Sequence, residues 1–160
     1  MRRVTIIAAL LVAAVLLLPG AAVASHYLLE DLDFVSAEER VLFEKEGVRA
    51  SEDLLEQVST PSQRAALAKK TGVTRERLRV LGDQVDLLQI RGIGPSMVRL
   101  IQAAGVQHAQ ALSQQSAETL HAAVLEANAR EAISSKTPAV EMLANWIRQA
   151  ARVPVRIRRR

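Results

Sequence analysis

The sequence contains no cysteine and few aromatic residues, and both absences narrow what the protein can do. Without cysteine the chain cannot form a disulfide or ligate a metal through sulfur. Because only four of the 160 residues are aromatic, the core must be built from aliphatic side chains, which suit helix-on-helix packing. His26, His108 and His121 lack the spacing of zinc ligands, so we expect surface histidines, no metal site and no cofactor.

A catalytic constellation is also missing from the sequence. No pattern places a nucleophile beside a base and a third residue that would orient that base. We therefore expect a protein that is not an enzyme.

Charge is divided unevenly between the two parts of the chain. Residues 25–60 contain ten acidic and three basic residues, whereas residues 61–160 contain seven acidic and sixteen basic residues. This asymmetry favours one surface that meets a polyanion and another that repels it. A second interpretation is that the two halves attract each other.

The N-terminus has the layout of an export signal. Met1-Arg2-Arg3 precedes the apolar run Val4–Leu18, and Ala22-Val23-Ala24 offers the small residues that signal peptidase cleaves after. We predict a signal peptide at residues 1–24 with cleavage before Ser25; the alternative is an uncleaved membrane anchor. The remainder lies outside the cytoplasm in both cases: secreted or periplasmic after cleavage, otherwise anchored and facing outward.

Capping signals predict a series of short helices. Ser36 and Glu39 form a capping box, and Gly47 is placed to end the helix that they begin. No segment shows the sustained alternation of a strand, so the predicted fold class is all-α. Further helix starts are predicted at Ser51, Thr60-Pro61, Thr74, Asp83, Ser96, Ser116 and Thr137-Pro138.

The segment Ile90-Arg91-Gly92-Ile93-Gly94-Pro95, which we call the second hairpin, is the strongest functional signal. Two glycines around an apolar residue, followed by proline, start a new helix sharply and leave its first amides open to a phosphate oxygen. Such a turn is typical of helix-hairpin-helix proteins. The alternative is that the glycines only let two helices cross closely. The predicted nucleic-acid contacts are Arg91, Gly92, Ile93, Gly94, Ser96, Met97 and Arg99, with Ile93 anchoring the turn in the core.

The chain also contains an internal repeat. A shift of 58 residues places Gly47-Val48 on Gly105-Val106 and Leu42 on Leu100. The first hairpin (residues 32–37) then has Phe34-Val35-Ser36 where the second has Gly92-Ile93-Gly94. The apolar positions match and the glycines do not. This indicates that the first hairpin keeps the core packing of the second but lacks the glycines that let another group approach the backbone closely.

Several motifs along the chain resemble the domain-of-unknown-function 4332 family. They are Glu52-Asp53-Leu54-Leu55, residues 67–73, residues 86–94, Ala103-Ala104-Gly105-Val106, Asn128, Pro138 and residues 146–150. The resemblance implies a tandem helix-hairpin-helix domain over residues 32–151, with repeats at about 32–88 and 89–151 and a linker at 25–31. It implies a fold and no activity. Ser96 departs from the lysine that hairpins of this class often carry.

The C-terminal residues 152–160 form a basic segment. Proline and five arginines predict an extended tail that holds phosphates non-specifically or is solvated and disordered. If the N-terminal anchor is retained, anionic lipid is a further partner. The four arginines predicted to bind are Arg156, Arg158, Arg159 and Arg160.

Two functions from different classes follow. The first is an exported, non-catalytic module that contacts the nucleic-acid backbone through the second hairpin and the tail. The second is a protein-interaction or structural module of the cell envelope, whose acidic half meets a basic partner or whose basic half meets an acidic one. In both, the N-terminal segment contacts the membrane only if it is uncleaved, and the sequence leaves the oligomeric state open.

Overall fold

Eight α-helices and one 3-10 turn make up residues 26–159, the residues that the computed structural model describes. Within that range the only strand-like pairing is an isolated antiparallel bridge between Leu28 and Ala50, so the all-α prediction is confirmed. The 3-10 turn covers Leu29–Asp31, and the helices are α1 (Ala37–Lys45), α2 (Ser51–Val58), α3 (Pro61–Thr71), α4 (Arg75–Leu87), α5 (Pro95–Ala103), α6 (Ala109–Leu112), α7 (Ala117–Glu131) and α8 (Val140–Ala150).

The predicted signal peptide or anchor at residues 1–24, its cleavage site before Ser25, and Arg160 lie outside the described residues. Between residues 26 and 159, no helix has the length and apolar content that crossing a membrane requires.

Four of the eight predicted helix starts are confirmed by side-chain caps. Ser36, Thr60, Thr74 and Ser116 each accept a hydrogen bond from the backbone amide three residues later. These bonds satisfy amides that the first turn of a helix leaves unpaired. Local polar spacing is therefore a reliable guide to where these four helices begin.

The prediction that Asp83 begins a separate helix is wrong. Helix α4 runs without a break from Arg75 to Leu87, and Asp83 lies inside it with its side chain buried. Gly82, the residue before Asp83, allows close packing: a Cβ there would lie 3.0 Å from Val58 Cγ2 and 3.1 Å from Ile157 Cδ1. A close helix contact, and not a turn, explains this glycine.

Three other helix starts shift by one or two residues. Ser51 is the first residue of α2; its N-cap is Ala50, and the Asp53 carboxylate accepts from the amides of Arg49 and Ala50 at 2.9 and 3.0 Å. Helix α5 begins at Pro95 instead of Ser96, and α8 begins at Val140, after Pro138.

Equivalent helices recur at the 58-residue spacing. Helices α1 and α5 begin and end 58 residues apart, and α2 and α6 begin 58 residues apart. Their C-terminal turns agree as well, since Val48 N donates to Phe43 O at 3.0 Å and Val106 N donates to Ile101 O at 3.1 Å. The two segments thus have the same backbone path from each hairpin to the following short helix.

One hydrophobic core joins both halves of the described chain. Helix α2 packs on α3 and α4, α7 packs on α5 and α8, and α4 also contacts α5 and α6. Residues 26–31, predicted to be a linker, are packed on this core: Leu29 is buried, its amide donates to Arg49 O at 3.0 Å, and Ser51 N donates to Tyr27 O at 2.9 Å.

Candidate nucleic-acid interface

The second hairpin has the tight backbone that its sequence predicts. Gly92 has a φ of +95°, and Ile93 N donates to Ile90 O at 3.0 Å. Gly94 is the N-cap of α5 in an extended conformation, and its carbonyl accepts from Val98 N at 2.9 Å. Ile93 is fully buried, as predicted, so the turn is anchored in the core.

The start of α5 carries backbone donors that nothing in the described part of the chain uses. Helix α5 has no side-chain cap. Within residues 26–159, the amides of Gly92, Gly94, Ser96 and Met97 make no hydrogen bond to the protein. The Ser96 side chain is exposed beside them. These amides lie at the positive end of the helix dipole, where an anion is favoured.

The first hairpin has the same helix start with two of its donors satisfied. Ser36 Oγ accepts from Glu39 N at 3.1 Å, and Glu39 Oε2 accepts from Ser36 N at 3.0 Å. Arg77 of α4 closes the turn further by donating to both Glu39 oxygens, at 2.6 and 2.9 Å, and to Phe34 O at 2.6 Å. The hydrogen bonds from Arg77 lower the pKa of Glu39 below its ordinary value. The amides of Ser36 and Glu39 are therefore taken, whereas those of the two residues between them make no hydrogen bond within residues 26–159.

The two arginines predicted to assist the second hairpin differ in availability. Arg91 is exposed, and its guanidinium has no partner among the described residues. Arg99 is paired with Asp33 across a distance of 2.9 Å, with both side chains partly exposed. Asp33 occupies the repeat position of Arg91, so an acidic residue of the first hairpin neutralises a basic residue of α5.

A groove separates the second hairpin from α8. Its walls are formed by Arg91, Gly92, Met142, Asn145, Trp146 and Gln149. Gln149 holds the two sides together, since its Oε1 accepts from Arg91 N at 3.1 Å and its Nε2 donates to Arg91 O at 3.2 Å. Trp146 is buried, and its Nε1 lies 3.0 Å from the position that a Cβ on Gly92 would occupy.

Sequence reasoning did not find two residues that border the second hairpin. Tyr27 places its hydroxyl 3.5 Å from the position of a Cβ on Gly94, and Gln149 fixes the backbone of Arg91. The sequence places Tyr27 in a predicted linker and Gln149 within a motif that resembles the family. Nothing in their local sequence indicates either contact, because the partners are distant in the chain.

A second polar cluster surrounds the start of α6. Asp86 is buried, accepts from Ala109 N at 3.2 Å and has its pKa raised by burial to about 6. His108, predicted to be a surface residue, is half-buried and accepts from Ala111 N through Nδ1 at 3.2 Å. Burial lowers the pKa of His108, which keeps the imidazole neutral and able to cap the helix. No group of three or more metal-binding side chains occurs within residues 26–159.

A family model described as "Domain of unknown function (DUF4332)" matches residues 34–153, three quarters of the chain. The chain belongs to this family. No curated protein and no solved structure matches it significantly.

The DUF4332 region begins in the first hairpin and ends just after α8, so the basic tail follows it. Residues 154–159 of the tail have no regular secondary structure, and residues 156–159 are docked on the domain, although the side chains of Arg158 and Arg159 stay exposed. Ile157 is buried, Arg158 N donates to Ser59 O at 2.7 Å, and the Arg158 carbonyl accepts from Arg64 at 2.7 Å.

Two of the tail arginines predicted to bind phosphate are used inside the molecule. Arg156 pairs with Glu52 at 3.0 Å, and Arg159 pairs with the buried Asp83 at 2.7 Å. Arg152 and Arg158, the other described arginines of the tail, make no ion pair within residues 26–159. The pair of Arg156 with Glu52 joins the basic half of the chain to the acidic half, in line with the second interpretation of the charge asymmetry, whereas Asp83 itself lies in the basic half.

Proposed function

We propose that this protein is a non-catalytic helix-hairpin-helix module that binds the nucleic-acid backbone without sequence specificity, on the outer side of the cytoplasmic membrane. The observation that carries the proposal is the open start of α5, whose counterpart in α1 is capped by Ser36 and Glu39. Free amides at a helix start are donors for phosphate oxygens, and such contacts read no base. The export signal predicted at residues 1–24 supports the location.

The charges near the second hairpin support a weak, salt-sensitive interaction. Arg91 is exposed beside the free amides, whereas Arg99, Arg156 and Arg159 are already paired with carboxylates. Few arginines therefore remain to neutralise phosphates. We expect dissociation constants on the order of 10⁻⁴–10⁻⁶ M at physiological salt, in the range of non-specific binding.

The alternative is a protein-interaction or structural module of the envelope. The internal pairing of Arg99, Arg156 and Arg159 favours it, because these residues are the ones that a nucleic-acid module would keep free. An exposed acidic surface on α1, which includes Glu38 and Glu44 around the exposed Val41, would then meet a basic partner.

The test converts the second hairpin into a capped helix start. Gly94→Ser with Met97→Gln introduces the type of box that Thr60 and Gln63 already form at α3. Gly94 has a φ of −101°, and a Cβ there meets only Tyr27 Oη at 3.5 Å, so serine fits. We expect this variant to bind a labelled DNA duplex roughly tenfold or more weakly in fluorescence anisotropy, since hydrogen bonds to a charged group are lost.

The matched control is Gly94→Ala, which adds a Cβ at the same position and leaves Met97 in place. Neither side chain then caps α5, so the amides stay open and the affinity should remain within about twofold of the original. The capped variant should gain up to about 1 kcal/mol of stability, which separates lost binding from unfolding. Equal affinity of the two variants, or no binding at low salt, would refute the proposal; absence of binding would favour the alternative.

A further inference from the structure

We infer that the groove between the second hairpin and α8 binds a phosphate group of the same nucleic-acid strand, through the indole N–H of Trp146 and the guanidinium of Arg91. This inference rests on the proposed function and extends it from the start of α5 to a second contact. The open amides at α5 hold one phosphate in the proposed function, and the groove holds its neighbour.

The first step is the state of the Trp146 indole. The side chain is 2% exposed, yet its Nε1 has no hydrogen-bond partner among the described residues. Buried indole N–H groups are normally paired. The Nε1 atom is also accessible to solvent. Within residues 26–159, Gln84 Oε1 is the only side-chain N or O atom that is both inaccessible to solvent and without a hydrogen-bond partner. A buried ring thus directs an unused donor into an open groove.

The second step is the role of Gly92 in opening the groove. A Cβ at Gly92 would lie 3.0 Å from Trp146 Nε1 and would cover the donor. At the same repeat position the first hairpin has Phe34, whose side chain is buried in the core. The glycine therefore does more than permit a φ of +95°, because it leaves the indole N–H accessible from the hairpin side.

The third step is that the groove is already assembled without a ligand. Gln149 bonds to both the amide and the carbonyl of Arg91, at 3.1 and 3.2 Å, and this fixes the hairpin backbone against α8. The Arg91 side chain is exposed at the edge of the groove. A site whose donors are held in place beforehand loses less entropy on binding.

The fourth step is the chemistry of the lining. An indole N–H only donates and a guanidinium only donates, so the ligand must supply acceptors and negative charge. No carboxylate lines the groove; Glu141, exposed on α8 next to Met142, is outside it. A phosphate fits this donor set, and Gly92 precedes the open amide of Gly94 by only two residues, which places both contacts on one hairpin.

Trp146 is the only tryptophan in the chain, so its fluorescence reports on the groove directly. The full-length chain is titrated with a short oligothymidylate while indole emission is followed, and overall binding is measured in parallel by anisotropy of the labelled oligonucleotide. We expect the emission change to saturate at the concentration at which the anisotropy saturates. Arg148→Gln, which alters an exposed arginine of α8 outside the groove, should leave the size of the emission change unaltered.

Two variants separate the contribution of the indole hydrogen-bond donor to binding from that of the arginine charge. Trp146→Phe should weaken binding roughly tenfold without altering its salt dependence, because a hydrogen bond to an anion is lost and no charge is removed. Arg91→Gln should weaken binding and lower the salt slope by about 0.7, the value for one contact to a single strand. Arg91 is exposed and its side chain makes no described contact, so this variant keeps the test valid if Trp146→Phe fails to fold.

The outcomes distinguish this inference from the proposed function. If the oligonucleotide binds but neither the indole emission nor the affinity of Arg91→Gln changes, the groove is overturned and the proposed function stands. If the oligonucleotide does not bind, both are overturned. If polyglutamate changes the emission and oligothymidylate does not, the groove takes carboxylates and the inference is wrong.

Discussion

The two hairpins follow the same backbone path and differ in what their helix starts leave free. In the first hairpin, Ser36 and Glu39 cap each other's amides at the start of α1, and Arg77 covers the turn. In the second, Gly94 offers no side chain to α5. The comparison teaches that a repeated backbone can be structural in one copy and open to a ligand in the other, through the choice of a few cap residues.

The two hairpins also differ in how they are fixed to the core. The first uses the buried ring of Phe34, whereas the second uses Gly92 packed against the ring of Trp146 from α8. The first turn is thus stabilised by its own side chain and the second by a side chain more than fifty residues away. Two predictions test this difference, and a third compares the starts of α2 and α6.

The largest effect is expected for Phe34→Ala. Removing a buried aromatic ring leaves a cavity under the first hairpin and should lower the free energy of unfolding by about 3–5 kcal/mol. Urea denaturation measures the loss, and Val41→Ala, at a residue that is 51% exposed on α1, should change stability by less than about 0.5 kcal/mol. Similar losses for both variants would contradict the anchoring role of Phe34.

Gly92→Ala should be next, with a loss of about 2–3 kcal/mol. Alanine at a φ of +95° is strained by about 1–2 kcal/mol, and its Cβ would lie 3.0 Å from Trp146 Nε1. Gly105→Ala is the control, since Gly105 has a φ of +94° with nothing within 4 Å of a Cβ. Thermal unfolding of both variants isolates the contact with Trp146, and equal losses would show that only backbone strain matters.

Asp86→Asn should change stability least and in the opposite direction. Asp86 accepts a hydrogen bond from the amide of Ala109, the first residue of α6. The equivalent first residue of α2 is Ser51. Burial raises its pKa from 3.8 to about 6, so ionised Asp86 destabilises the folded state. Its contribution to stability is greatest below pH 4, decreases as the pH rises from about 4 to 6, and is constant above that. The variant should gain on the order of 2 kcal/mol at pH 7.5.

The pH series supplies the control for Asp86→Asn. Near pH 4 the original protein and the variant should have nearly equal unfolding free energies, because Asp86 is then protonated in the folded state. The difference should grow up to about pH 6 and then stay constant. A difference that does not depend on pH would show that the amide acts through packing and not through the lost charge.

Much of the helical layout was predictable because its signals are local. The caps at Ser36, Thr60, Thr74 and Ser116 join groups three residues apart, and these contacts form wherever the helix forms. The predicted helix start at Asp83 shows the limit. Asp83 has the side chain of an N-cap, but it is buried inside α4, and the neighbouring Gly82 packs closely on Val58 and Ile157, which no short-range pattern reports.

The candidate site was predictable in part for the same reason. The turn at Gly92 and Gly94 and the open amides of α5 follow from residues 90–97 alone. The pairing of Arg99 with Asp33, 66 residues away, does not. The charge counts predict one acidic and one basic region of the chain, but they do not say which arginines pair with carboxylates.

By itself, the sequence determined the all-α class, most helix starts and the shape of the second hairpin, because backbone conformation and capping depend on neighbouring residues. Only the tertiary structure decided which donors remain free. Arg156 meets Glu52 across 104 residues, and Gln149 reaches Arg91 across 58. The docked tail and the open groove beside Trp146 both arise from such distant contacts, since packing in three dimensions determines whether a charged or polar group is paired or available.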